Sequence, residues 1–99
     1  MIVVRYTWHV EANFAEVRKL FMEITMPEVS ALRGGRGYQA KTGLDRTLAL
    51  EWEFDSLADW EKFVPQFWGN PANADKFRRW NELTNAAATI EVWELLRSG

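Results

Sequence analysis

The chain has 99 residues, a formal net charge of −2 and no cysteine. This length predicts one domain over residues 1–99. Interspersed acidic and basic residues exclude the basic stripe that nucleic acid binding needs and a polybasic membrane patch. The absence of cysteine excludes disulfides, thiolate metal sites and cysteine nucleophiles.

The beginning of the sequence does not have the pattern of a targeting segment. Residues 2–4 are too few for the apolar region of a signal peptide, and Arg5 interrupts them. No apolar run approaches the roughly 20 residues that a membrane span needs. We therefore expect a cytoplasmic protein with no membrane partner.

The first third of the chain predicts a strand, a helix and a second strand. Residues 2–10 are rich in β-branched and aromatic residues that alternate between an apolar face and a mixed face. A helix is predicted to follow, with Asn13 as its N-cap and Glu16 completing a capping-box pair, and Pro27 should end or kink it. Residues 35–43 are bounded by glycine and are polar enough for an edge strand.

The next stretch predicts a strand that leads directly into an amphipathic helix. Residues 43–45 are expected to turn the chain into a strand over 46–54. Asp55 or Ser56 is expected to cap the following helix. Pro65 should kink that helix near its end, and Gly69 should stop it. The apolar face of the strand comprises Leu48, Leu50, Trp52 and Phe54.

The C-terminal third predicts another helix and a last strand. Asn70 followed by Pro71 is the preferred start of a helix, which we place over residues 71–83. Asn85 is expected to end it in the left-handed conformation. Residues 88–96 alternate as a strand does.

The order of elements, βαββααβ, predicts a ferredoxin-like α+β fold with a four-stranded antiparallel sheet. In this topology the first and third strands lie at the centre, and the helices cover one face of the sheet. Both faces carry large apolar side chains here, so the bare face needs a cover as well. A homodimer that packs two sheets face to face provides it without another kind of chain.

Three pieces of the sequence carry a resemblance to known proteins: EWEFDSLADWEKF (51–63), WGNPANADKFRRW (68–80) and IEVWELL (90–96). They resemble the dimeric α/β-barrel superfamily, with the NIPSNAP-like and antibiotic-biosynthesis-monooxygenase-like proteins as the nearest branches. The resemblance covers nearly the whole chain. It implies a dimeric α/β barrel and a ligand cavity between each sheet and its helices.

The resemblance implies a small-molecule-binding protein and leaves several functions open. One is a cofactor-independent monooxygenase that acts on an aromatic or apolar substrate. The alternatives are a non-catalytic protein-interaction module and a cyclase-like enzyme that uses His9 as base. Haem-degrading members hold iron through a helix-borne histidine, which the later helices of this chain lack. No cofactor and no metal are therefore expected.

The candidate site residues each have a structural alternative. His9 is the candidate catalytic base, or else a partly exposed strand-end histidine near Glu11. Arg78 could clamp an anionic substrate, or else lie on a solvated helix face. The candidate aromatic substrate-binding residues, which could instead be packing, are Tyr6, Trp52, Trp68 and Trp80.

The mixed faces of the two central strands predict a group of charged residues. Arg5 lies on the first strand, and Glu51 and Glu53 lie on the third. Because these strands are expected to be neighbours, we predict a cross-strand charge cluster. An arginine next to both carboxylates argues against a catalytic acid–base pair there.

Overall fold

The computed structural model describes residues 1–43 and 45–99, and its element order confirms the predicted α+β layout. The predicted turn at 43–45 includes Leu44, which lies outside the described residues. The elements are β1 (Ile2–His9), α1 (Phe14–Glu23), β2 (Gly34–Gln39), β3 (Thr47–Phe54), α2 (Leu57–Trp68), a 3-10 turn (Pro71–Asn73), α3 (Ala74–Leu83) and β4 (Thr89–Glu94).

The four strands form one antiparallel sheet in the order β2-β3-β1-β4. The prediction that the first and third strands lie at the centre is confirmed. Val4 of β1 is paired with Trp52 of β3 and, on its other side, with Val92 of β4. Because side chains alternate along a strand, this register places the even-numbered residues of β1 and β3 on one face.

The core lies between that face and the helices. Trp52 is fully buried at its centre, with ring centroids 4.7 Å from Phe67, 4.8 Å from Phe63 and 5.1 Å from Tyr6. Each such aromatic pair contributes about 0.5–1.5 kcal/mol beyond its burial. The other core residues of the sheet are Val4, Trp8, Leu48, Leu50 and Phe54.

Two of the predicted helix caps are confirmed by side-chain hydrogen bonds. Ser56 caps α2, and its Oγ accepts a hydrogen bond from the backbone N–H of Asp59 at 3.3 Å. Asn70 caps the next element, with its Oδ1 accepting from the backbone N–H of Ala72 at 3.0 Å. That element is a 3-10 turn leading into α3, so the predicted helix over 71–83 has an irregular first turn. Pro65 lies within α2, which continues to Trp68.

Asn13 occupies the predicted N-cap position of α1, but its side chain does not cap the helix, and the predicted role of Asn85 is wrong. Asn13 has a left-handed backbone (φ 57°) and forms no cap bond; its Nδ2 instead donates to the carbonyl of Leu83 at 2.7 Å. That distant acceptor is one of the unpaired carbonyls at the end of α3, which sequence spacing does not reveal. Helix α3 ends at Leu83 with Thr84 extended, before Asn85. The strands predicted over 35–43 and 88–96 are shorter, as given above.

A buried amide fixes the segment that joins α1 to β2. Asn73 is fully buried; its Oδ1 accepts from the backbone N–H of Thr25 at 2.8 Å, and its Nδ2 donates to the Thr25 carbonyl at 2.6 Å. Both polar groups of one backbone residue are thus satisfied by one side chain. This connection ties the end of α1 to the start of α3.

We predict that Asn73→Ala lowers the free energy of unfolding by about 1–3 kcal/mol, because it removes the two hydrogen bonds between the buried Asn73 amide and the Thr25 backbone, each worth about 0.5–1.5 kcal/mol. In a domain of this size the melting temperature should fall by roughly 4–8 °C per kcal/mol. Urea unfolding would measure the loss. Asn85→Ala, at an exposed position, is the matched control and should be neutral. Equal stability of the two variants would contradict the proposed fixing role.

Candidate functional site

A cavity of about 200 Å³, here called the inner cavity, lies between the helix-covered face of the sheet and the helices. Trp8 and Leu50 form its floor, and Trp80 meets Trp8 edge-on at 5.5 Å between ring centroids. Trp68 lies at the end of α2 and is 43% exposed, so it marks the opening. The remaining lining residues are Phe21, Ile24, Phe67, Phe77, Asn81 and Ala86.

The chemistry of the lining is apolar and aromatic. Asn81 contributes a side-chain amide, and none of the lining side chains is titratable. A pocket with an apolar, aromatic lining is suited to apolar ligands. The cavity can therefore hold a flat apolar molecule, but its lining offers no general acid or base.

The structure brings some predicted aromatic residues to this cavity and leaves others beside it. Trp68 and Trp80 line it directly. Trp52 lies fully buried beneath it as core packing. Tyr6 lies on the same sheet face, in an adjoining groove with Trp60.

His9 lies on the bare face of the sheet, away from the inner cavity. Its neighbour across β3 is Thr47, and its Nε2 is 3.5 Å from Glu11 Oε1. Its Nδ1 has no hydrogen-bond partner in the described part of the chain. A catalytic histidine is normally oriented by a hydrogen bond on its second nitrogen. A base role for His9 would therefore need a ligand on the bare face.

Arg78 is also remote from the inner cavity. Its side chain is 69% exposed, and its Nη2 contacts Asp75 Oδ1 at 3.1 Å, one turn away on α3. This geometry fits the solvated helix face that the sequence offered as the alternative.

Several lining residues were not among the predicted site residues. Two of them have the same apolar pattern in the sequence as core residues: Phe21 lies on the apolar stripe of α1, and Trp8 lies on the apolar face of β1. Ala86 lies in the segment between α3 and β4, where no periodic pattern marks it. Its importance comes from its small size, which leaves room for the cavity.

Tyr6 and Trp60 form a hydrogen-bonded pair beside the inner cavity. Trp60 Nε1 donates to the Tyr6 hydroxyl oxygen at 3.3 Å. Burial raises the pKa of Tyr6 above its ordinary value, and the hydrogen bond from Trp60 offsets part of this rise. The phenol is therefore held neutral, with its own proton available for donation.

The bare face carries the charge cluster that the sequence predicted. Arg5 donates to Glu51 Oε2 through Nε at 3.1 Å and Nη2 at 2.8 Å. Arg36 of β2 adds contacts to Glu53 at 2.6 Å and to Glu51 at 3.5 Å. These arginines shield Glu51, which is only 8% exposed. Each carboxylate faces a guanidinium, which fits a structural role better than an acid–base pair.

Within residues 1–43 and 45–99, no group of three or more His, Cys, Asp and Glu side chains could hold a metal ion. No helix in these residues is long and apolar enough to cross a membrane.

Comparison with solved structures identifies proteins that share this fold. A NIPSNAP family protein from Agrobacterium tumefaciens has a TM-score of 0.74 and 16% identity, with 94% of this chain and 90% of that chain covered. A candidate antibiotic biosynthesis monooxygenase from Deinococcus radiodurans has a TM-score of 0.71 and 14% identity, with 99% of this chain and 95% of that chain covered. SnoaB, a cofactor-independent oxygenase from Streptomyces nogalater, has a TM-score of 0.68 and 6% identity, with 98% of this chain and 94% of that chain covered.

These likenesses confirm the predicted resemblance to NIPSNAP-like and antibiotic-biosynthesis-monooxygenase-like proteins at the level of the fold. The identities are too low to transfer an activity, because one fold serves many functions. No protein-family model and no curated protein matches the sequence.

We predict that Tyr6 makes stability depend on pH in the alkaline range. Its folded pKa is raised above 10.0, so the unfolded chain loses the Tyr6 proton first, and stability falls as pH rises from the unfolded value through the folded one. Tyr6→Phe should reduce this fall. Urea unfolding should be measured at about pH 8 and about pH 11, because these values lie on either side of an ordinary tyrosine pKa. An equal fall in both proteins would contradict the prediction.

Proposed function

We propose that this protein, taken as one domain over residues 1–99, binds a small aromatic or apolar molecule in the inner cavity. The observation that supports this is an unfilled space of about 200 Å³ walled by aromatic side chains. A dry apolar cavity of about 150 Å³ accommodates benzene. A molecule of one or two rings therefore suits the inner cavity. The open space also favours ligand binding over the alternative of a non-catalytic interaction module, for which a filled core would be expected.

The reaction class we propose is cofactor-independent monooxygenation of an electron-rich aromatic substrate. Without a cofactor, the substrate itself would have to provide the electrons: a ring CH₂ group of its keto tautomer loses both hydrogens and gains one oxygen atom of O₂ as a ketone, and the second oxygen atom leaves with those two hydrogens as water. The cavity would contribute orientation and exclusion of water. SnoaB, which shares the fold, is a cofactor-independent oxygenase. Cytoplasmic location and the absence of a cofactor remain predictions.

We further propose that two copies pack through the bare faces of their sheets. Trp93 of β4 is 51% exposed, and Tyr38 of β2 is 44% exposed. Residues paired across the strands share a face, so Trp93 lies beside Val3 and the charge cluster. Apolar rings around a paired charge cluster are suited to burial against an identical surface, where the ionic contacts would fix the register.

We predict that Ala86→Leu weakens binding of naphthalene by about tenfold or more, because the larger side chain fills part of the inner cavity. Loss of roughly 1.4 kcal/mol of contact free energy corresponds to that factor. Quenching of the tryptophans that line the cavity would report binding. Ala87→Leu adds the same side chain at the next, exposed residue and is the matched control. Equal affinities in the two variants would argue against the cavity as the binding site.

We predict that light scattering gives a mass of twice 11.6 kDa down to low micromolar concentration. Trp93→Asp should shift the protein towards monomer, because it places an unpaired charge in the sheet-to-sheet contact. Leu57→Asp, at a 50% exposed apolar residue on the outer side of α2, should leave the mass unchanged. A folded wild-type monomer at all concentrations would overturn the proposed dimer.

A further inference from the structure

A second space adjoins the inner cavity between α1 and the edge strand β2. This space, here called the outer groove, measures about 400 Å³. Its walls are apolar side chains, including Met22, Met26 and Leu48, and the backbone of β2 at Gly35 and Gly37. The two glycines face the helix-covered side because they pair with Trp52 and Leu50. The absence of side chains there leaves the groove open.

The aromatic ring of Phe21 forms part of the partition between the two spaces. Phe21, with Ile24 and Leu50, lines both of them. Its ring lies 6.4 Å from that of Trp8, on the inner side. On the outer side it rests on Gly37, where an added Cβ would be only 2.8 Å from Phe21 Cε1. The Phe21 ring is therefore a thin part of this partition, and Gly37 is the residue that allows it to sit there.

The outer groove also has a cationic side chain in its wall. Arg18 lines the groove, and its Nε donates to the neutral Gln39 Oε1 at 2.6 Å. In the described part of the chain, no carboxylate forms an ion pair with Arg18. Its remaining guanidinium N–H groups suit a carboxylate or phenolate oxygen.

We propose that the inner cavity and the outer groove form one elongated site for a flat, apolar anion. The ring system would occupy the inner cavity and extend past Phe21, and the oxyanion would contact Arg18. Phe21 would thus set the length of ligand that the site accepts. This inference rests on the proposed function, since it assumes that the inner cavity takes a ligand. The inner cavity alone is smaller than the roughly 300–1,000 Å³ typical of larger ligands, whereas the two spaces together fall within that range.

The test compares three fluorescent or quenching probes: naphthalene, which fits the inner cavity alone, and the longer pyrenebutyrate and pyrenebutanol. Wild type should bind pyrenebutyrate more tightly than pyrenebutanol. Arg18→Gln should weaken pyrenebutyrate roughly tenfold or more, as loss of a charged hydrogen bond does, and leave pyrenebutanol unchanged. Arg78→Gln, which removes an arginine from outside both spaces, should change neither.

The partition is tested by Phe21→Ala. This variant should bind both pyrene probes several-fold more tightly and naphthalene more weakly, because the passage past residue 21 widens and naphthalene loses its contact with the Phe21 ring. Phe14→Ala removes a ring from the same helix outside both spaces and should leave the ratio of pyrenebutanol to naphthalene affinity as in wild type. The surface variant Arg18→Gln keeps the proposal testable if Phe21→Ala fails to fold.

The outcomes separate the two proposals. Naphthalene binding that Ala86→Leu weakens, together with pyrenebutyrate binding that Arg18→Gln does not affect, would overturn the elongated site and leave the inner cavity standing. Unchanged relative affinities in Phe21→Ala would also overturn it. Failure of all probes to bind wild type would overturn both proposals.

Discussion

The antiparallel pairing of β1 with β3 is the constraint on which the rest of the structure depends. The register places Val4 opposite Trp52 and Arg5 opposite Glu51. A shift by one residue would turn every side chain of one strand to the other face. It would move Trp52 out of the aromatic core and separate Arg5 from Glu51 at the same time. Both faces of the sheet therefore favour the same register, one through burial and the other through charge.

The inner cavity follows from how the helices are held over that register. At the inner cavity, Trp8 meets Phe21 and Trp80 edge-on, so the rings stand at an angle to one another instead of stacking face to face. Two asparagines hold the helical layer without entering the core: Asn13 binds the end of α3, and Asn73 binds Thr25 after α1. One of these links joins two helices, and the other joins a helix to a loop. They hold α1 and α3 against each other above the sheet, with the inner cavity between these helices and the sheet. Ala86 is a small residue in the lining of the inner cavity, and Gly37 is one in the outer groove on the other side of Phe21.

The sequence predicted features that depend on local patterns and missed those that depend on distant contacts. Ser56 capped its helix as expected because the acceptor and donor are three residues apart. Asn13 had an equally good local pattern, but Leu83, seventy residues away, provided a partner for its side chain. The charge cluster was predicted from β1 and β3, whereas Arg36 joined it only because β2 pairs with β3. Trp52 and Trp80 each fit an apolar pattern in the sequence, so only the three-dimensional packing shows that Trp80 lines the inner cavity whereas Trp52 is buried in the core.

Polar and apolar groups lie in different parts of the proposed site, so the inner cavity and the outer groove would have different roles. The inner cavity lacks titratable side chains, so any reactivity there must come from the ligand itself and from the dryness of its surroundings. Charge lies at a distance, on Arg18 beyond Phe21, where it can orient an anionic end while remaining partly solvated. The charges on the bare face are paired with one another, Arg5 with Glu51 and Arg36 with Glu53. A protein with this arrangement would choose its ligand by shape and by one remote charge, and would leave the reacting ring in an apolar environment.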